Sequence, residues 1–282
     1  FIELNKVNKD IKPGFNFAPS YRFSKVFQNA LKNNKLIPFR GPLNSKSLTC
    51  AEDLEFKLIN NDKYGFKNFN ETYKKKIHTM ILGDSFAVGM CQDNFNDITG
   101  NLKKKGLNTI NLGVSGSSTL ISLAILSEFG EYLSPKNIVY LYYEGNDLEG
   151  LEWEKQISIL MKYYEDDNYK IDYLNKYDEI NDFLKNSEAE SLRYIYSSDN
   201  IKTETIYTKK EKLIDFIELK RLKKLIRKKI LKQTDFDYNT SFLINILKKM
   251  SEKSASFSEN FLFVYIPDAS RYTSESHTLE KR

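Results

Sequence analysis

Gly83-Asp84-Ser85 follows the apolar run Ile77-His78-Thr79-Met80-Ile81-Leu82, and Phe86 to Met90 then begin a new element. A serine delivered onto a glycine-led turn exposes a hydroxyl at the carboxyl end of a strand, where open α/β sheets place their chemistry. Asn111-Leu-Gly-Val-Ser-Gly116 and Glu144-Gly-Asn-Asp147 stand at the ends of two further apolar runs. A serine hydroxyl is a weak nucleophile until a base takes its proton. Its attack on an ester carbonyl builds charge on the carbonyl oxygen, and donors preformed around that charge are commonly the largest catalytic term. The candidate donors are the backbone N–H of Ser85, the backbone N–H of Gly116 and the side-chain amide of Asn146. Glycine lets the backbone approach a substrate closely, and the asparagine NH₂ donates without carrying charge.

Each of these residues also has a plainer reading. Ser85 alone fits a helix cap on a strand-to-helix turn, Gly116 a βα-turn glycine, and Asn146 or Asp147 a cap of the helix that follows. The three blocks taken together favour chemistry for Ser85, Gly116 and Asn146, and leave Asp84 holding turn geometry and Asp147 structural. His78 lies within the first run and reads as an ordinary strand histidine. His277 reads as a surface residue near the end of the chain.

The elements that must position these residues are legible from residue 77 onward. Ile77–Leu82, Thr109–Val114, Asn137–Tyr143 and Phe261–Ile266 read as strands. Phe95–Lys105 and Ser117–Leu133 read as helices, the first ending at Gly106, the second capped by Ser117 or Ser118 and closed by Pro135. Strands alternating with helices imply crossovers and a parallel sheet. Residues 1–76 carry the turn signals Pro13-Gly14, Asn33-Asn34, Gly41-Pro42 and Asn60-Asn61-Asp62, and read as an N-terminal arm packed on the domain, with room for one helix over Ser24–Leu36. Residues 150 to 256 lose the βαβ spacing and read as a helical insertion after the third strand.

With its three blocks in this order, the chain resembles the SGNH/GDSL hydrolase superfamily. Gly83-Asp84-Ser85-Phe-Ala-Val-Gly89 is similar to the first block, Gly116 within Gly113-Val-Ser-Gly to the second, and Gly145-Asn146-Asp147 to the G-x-N-D third block. The resemblance is close over residues 77–147 and loose at 261–266. It implies a flavodoxin-like three-layer α/β/α fold over residues 77–282 and a serine ester hydrolase acting through an acyl-serine intermediate, on a small-molecule or glycan ester such as an O-acetylated carbohydrate. It also implies a catalytic Asp and His in a late D-x-x-H block after a fifth strand. Position 274 is Ser where that Asp would stand before His277. The expectation is therefore a chain truncated at its C-terminal side, with the catalytic His and Asp outside it and little activity of its own. An O-acyltransferase of the same superfamily, in which a sugar hydroxyl replaces water, shares all three blocks. So does a catalytically silent domain that binds a glycan or a partner. A nucleotide or flavin module fits less well, because Gly113-Val-Ser-Gly116 lacks the G-x-G-x-x-G and P-loop patterns.

The bulk properties narrow the field further. The 282 residues suit one large domain or two small ones. With 40% hydrophobic and 29% charged residues, the composition can form a core. A net charge of +5 is too mild to demand nucleic acid, and no basic stripe interleaved with aromatics is present. The basic segment Lys220–Lys232, with Leu219, Leu222, Leu225, Ile226 and Ile230 on one helical face, reads as a helix packed on the domain. Weak contact with an anionic surface is its alternative. Two histidines and two cysteines without C-x-x-C spacing predict no metal site and no cofactor, and favour reduced thiols at Cys50 and Cys91 over a single disulfide between them. The chain begins at Phe1, so a targeting segment, and with it an envelope or cytoplasmic location, cannot be read from it.

Overall fold

The computed structural model describes residues 11–13, 39, 41, 43–49, 57–176, 178–184 and 240–272. The helices expected over Ser24–Leu36 and Lys220–Lys232, and His277, lie outside them. Strands β1 (Ile11–Pro13), β2 (Lys46–Thr49) and β3 (Lys57–Asn60) form a small sheet in that order. The main sheet holds β4 (Thr79–Gly83), β5 (Thr109–Asn111), β6 (Asn137–Tyr143) and β7 (Asn260–Ile266), all parallel, in the order β5-β4-β6-β7.

Helices cover both faces of this sheet, which gives a mixed α/β architecture consistent with three α/β/α layers. The helices are α1 (Ser85–Val88), α2 (Ile98–Lys104), α3 (Thr119–Leu133), α4 (Asp147–Glu154), α5 (Ser158–Glu165) and α6 (Thr240–Ser254). Alternation along the strands assigns the faces. Met80, Leu82, Ile138 and Tyr140 pack with Leu123, Ile246 and Met250 into the large core beneath α3, α5 and α6. Ile81 and Leu141 point the other way and pack with Ala87 and Leu102 of α1 and α2. β4 is buried at all five positions, so its continuous apolar run is what a central parallel strand requires.

Several boundaries shift for identifiable reasons. Regular pairing of β5 stops at Asn111, yet the N–H groups of Leu112 and Val114 still donate to the carbonyls of Ile81 and Gly83. Residues 109–114 thus run beside β4 to its end. α2 starts at Ile98 rather than Phe95, because Asp93 gathers the N–H groups of Phe95 and Asn96 into a turn and Asp97 caps the helix through the Gly100 N–H at 2.6 Å. Ser118 stands at the N-cap of α3 but makes no side-chain cap bond. The reduced-thiol expectation is also corrected: Cys91 is disulfide-bonded. The chain's other cysteine, Cys50, lies outside the described residues.

The segment before β4 is bound to the sheet by buried polar groups. The Asp62 carboxylate, fully buried, accepts the N–H groups of Tyr64 and Phe66, the Asn68 amide and the Tyr73 hydroxyl. Asn68 in turn exchanges two hydrogen bonds with the backbone of Asn111, at 2.8 and 2.9 Å. Asp62→Ala removes the common acceptor. Each donor left buried costs on the order of 1–3 kcal/mol, so urea denaturation is expected to find a marked loss of stability. A midpoint equal to wild type would show that this segment is not coupled to the fold.

Candidate active site

The strand order sets where a site can form. β4 leads through α2 to β5 on one side, and β5 returns through α3 to β6 on the other. The connections therefore diverge from the carboxyl ends of β4 and β6, the topological switch point at which open α/β sheets bind ligands. Ser85 follows β4 there, and Asn146 follows β6.

Gly83 makes the turn possible. Its φ is +137°, and an added Cβ would stand 2.4 Å from the Leu141 carbonyl oxygen of β6. A side chain at this point would push the two strands apart. Gly113 is constrained in the same way from β5, since a Cβ there would lie 2.8 Å from Ala87 Cβ and 2.9 Å from the Val88 nitrogen of α1. The loop from Gly113 to Ser117, carrying Gly116 at φ +73°, is held against the turn by Val114 N–H and Ser117 Oγ, both of which donate to the Gly83 carbonyl.

Asp84 gathers the side chains. Its Oδ1 caps α1 by accepting the Phe86 N–H at 2.8 Å, and its Oδ2 accepts the Ser85 hydroxyl at 3.3 Å. The Asn146 amide donates to the same carboxylate. Asn146 occupies the N-cap position of α4 without capping it, and its amide goes to the Asp84 carboxylate instead. Burial raises the Asp84 carboxyl above its ordinary range against the pull of these donors.

Three supporting residues were given no role by the sequence. Asn111 donates its amide to the Ala87 carbonyl of α1 at 2.7 Å and accepts the Gly113 N–H at 2.9 Å, which fixes the serine helix to the glycine loop. Glu154, at the far end of α4, accepts the N–H groups of Ser118, Leu120 and Ile121. A carboxylate at the α3 N-terminus thus takes the place of the expected serine cap. The Ser118 hydroxyl donates instead to the Asp147 carbonyl. Lys67 is buried and donates to the carbonyls of Val88, Gly89 and Gln92 at and just past the end of α1. Its ammonium also lies 2.9 Å from the buried Asp97 Oδ2.

Aromatic and charged side chains border the turn. The Phe86 ring packs on Tyr143 at 4.1 Å between centroids, and the Tyr143 hydroxyl donates to Asp268 after β7 at 2.9 Å. Glu144 accepts the Asp268 N–H and pairs with Arg271, which holds its carboxyl down at about 2. Phe86 also lines, with Gln92, Ile98 and Leu102, a depression of about 420 Å³ on the α2 side. His78 precedes β4 and bonds to Thr79. The five residues of β4, at ~3.3 Å each, put it about 16 Å from the serine end. Among the described residues, no group of three or more His, Cys, Asp or Glu could hold a metal ion, and no helix is long and apolar enough to cross a membrane.

No protein-family model matches the chain, and no curated protein matches it. Among solved structures it is similar to AlinE4, described as a SGNH-hydrolase family esterase, at 19% identity over 45% of this chain and 82% of that one, with a TM-score of 0.23. A mutant of the same esterase gives 18% identity, coverage of 50% and 93%, and the same TM-score of 0.23. A likeness this slight bears no weight on activity.

Lys67→Ala would leave Asp97 as a buried, unpaired charge and free three carbonyls beside the serine helix. Breaking a buried pair in this way costs about 3–5 kcal/mol. The expected result is a large drop in the unfolding midpoint. A change close to zero would show that Lys67 does not anchor α1.

Proposed function

We propose that this chain is the core of a serine ester hydrolase of SGNH type, a single α/β domain with an N-terminal arm, acting through an acyl-Ser85 intermediate. The observation that carries the reading is the convergence on Asp84. One carboxylate draws the Ser85 hydroxyl and the Asn146 amide together at the carboxyl ends of β4 and β6, with the Gly116 loop bonded to the same turn. Three motifs far apart in sequence thus meet at the switch point of the sheet.

In the reaction, Ser85 Oγ attacks the ester carbonyl carbon as its proton passes to a base. The negative charge moves to the carbonyl oxygen, and the N–H groups of Ser85 and Gly116 and the Asn146 amide stabilise it. Collapse expels the alcohol and leaves the acyl-serine, which water then hydrolyses. Neither described candidate base suits Ser85: His78 is at the opposite end of β4, and Asp84 is occupied as the N-cap of α1. The aromatic and hydrogen-bonding surface of Phe86, Tyr143 and Asp268 is compatible with a glycan as the alcohol portion.

The test uses the protein from its full reading frame. A fluorophosphonate probe is expected to label wild type and to leave Ser85→Ala unlabelled; equal labelling of both would sink the assignment. Asn146→Ala is expected to lower kcat by ~10²–10³ with little change in KM, as loss of one oxyanion donor does. A change confined to KM would place Asn146 in substrate binding instead.

A further inference from the structure

One buried acid beside the site has no part in the acylation just described. Asp147 is 1% exposed. Its Oδ2 accepts the Tyr143 N–H at 2.8 Å, while its Oδ1 is buried with no hydrogen-bond partner. Asp84, also 1% exposed, acts on it from the β4–α1 turn and Glu154 from the end of α4. Tyr140 of β6 is close enough to feel its charge, and from the start of α3 the Ser118 hydroxyl reaches its backbone carbonyl. The described groups that act on this acid include no cation.

Two carboxyls in one buried site do not both ionise cheaply, because each charge opposes the other and neither is solvated. The hydrogen bonds decide which one keeps the proton. Asp84 accepts from the Phe86 N–H, the Ser85 hydroxyl and the Asn146 amide, all of which favour an anion. Asp147 has the single Tyr143 N–H, and its second oxygen faces no donor. A bare charged oxygen there would cost far more than a neutral hydroxyl.

We propose that Asp84 and Asp147 hold one proton between them, resident on Asp147, so that Asp84 stays the anion that positions the Ser85 hydroxyl and the Asn146 amide. Asp147 is a positioning residue. Its effect on chemistry rests on the ester-hydrolase reading, whereas the protonation itself does not. Burial and the neighbouring Asp84 push the Asp147 carboxyl up to about 8. Ionisation above that pH would put a second negative charge beside the proposed oxyanion hole, where it opposes the charge the hole must hold.

The sign for stability follows. A carboxyl raised in the folded state binds a proton that the unfolded chain has already released above pH ~4. Its contribution to stability therefore declines as pH rises from about 4 toward 8 and levels off beyond. Infrared difference spectra of the chain between pH 7 and 9.5 are expected to lose a protonated-carboxyl band in wild type and to have none to lose in Asp147→Asn. Absence of that band in wild type overturns the proposal. Asp84→Asn, which removes the neighbouring charge, is expected to move the loss of the band to lower pH, and an unmoved midpoint overturns the shared proton even if Asp147→Asn fails to fold. With the full-frame protein, the wild-type labelling rate should fall roughly tenfold more than the Asp147→Asn rate between pH 7 and 9.5. A parallel change in both overturns the positioning role and leaves the Ser85 assignment standing. No labelling at any pH would instead count against Ser85, with the infrared result unaffected.

Discussion

The four polar groups of Asn111 are all buried and all used. Its backbone exchanges hydrogen bonds with Asn68, its amide holds the Ala87 carbonyl of α1, and its side-chain oxygen holds the Gly113 N–H. One residue at the end of β5 therefore fixes the segment before the sheet, the serine helix and the glycine loop in a single arrangement. Buried polar groups are costly when unmet and directional when met. Apolar packing around Leu112 and Val114 can tolerate small slides, whereas a chain of amide bonds tolerates few. The separation of Ser85 and Gly116 is held by that chain together with the Val114 N–H and the Ser117 hydroxyl, which both donate to the Gly83 carbonyl.

The second half of the site depends on a similar substitution of distant for local partners. α3 begins without a cap of its own, and Glu154 supplies one from the end of α4. The Ser118 hydroxyl, released from capping, fastens the first turn of α4 to α3. Asn146 is thereby carried on a helix clamped at both ends, one by Glu154 and the other by Ser118. Under the proposed reading, such a rigid mount would let the Asn146 amide meet developing charge without reorganising. Lys67 does the same for α1, a helix of four residues that is too short to be stable unless its carbonyl end is met from elsewhere.

These partnerships explain what was legible in the sequence and what was not. Gly83-Asp84-Ser85 could be read as a strand-to-helix turn because local geometry dictates residue type there: a Cβ at Gly83 would strike Leu141, and Asp84 caps the helix that follows, whereas the roles of Gly116 and Asn146 remain part of the proposal. The strands β4 and β6 could be read because a buried parallel strand is apolar throughout. Glu154, Lys67 and Asn111 could not, because each acts on an element 21 or more residues away and its own surroundings look like ordinary helix, loop or strand end. Ser118 misled for the same reason, since local propensity favours it as a cap while a tertiary contact decides the matter. The order β5-β4-β6-β7 was likewise invisible, because alternation implies crossovers without saying which way each one turns.

β7 is where the same reasoning meets a different environment. Asn260–Ile266 is as apolar as β4 and pairs with β6 along its whole length, yet Leu262 is 49% exposed and Phe263 43%. Among the described residues it has a strand on one side only. A run written for burial on both faces thus stands at an edge, with apolar side chains open on each face. The site meets that edge first through the ladder, which runs on to the Glu144 N–H donating to the Ile266 carbonyl at 3.0 Å. It also reaches β7 through side chains past the strand end, where Tyr143 meets Asp268 and Glu144 meets Arg271. The serine turn, the glycine loop and Asn146 follow β4, β5 and β6, and β4 and β5 are buried at every position. The geometry around Ser85 is therefore set by the buried half of the sheet, while β7 shapes the rim.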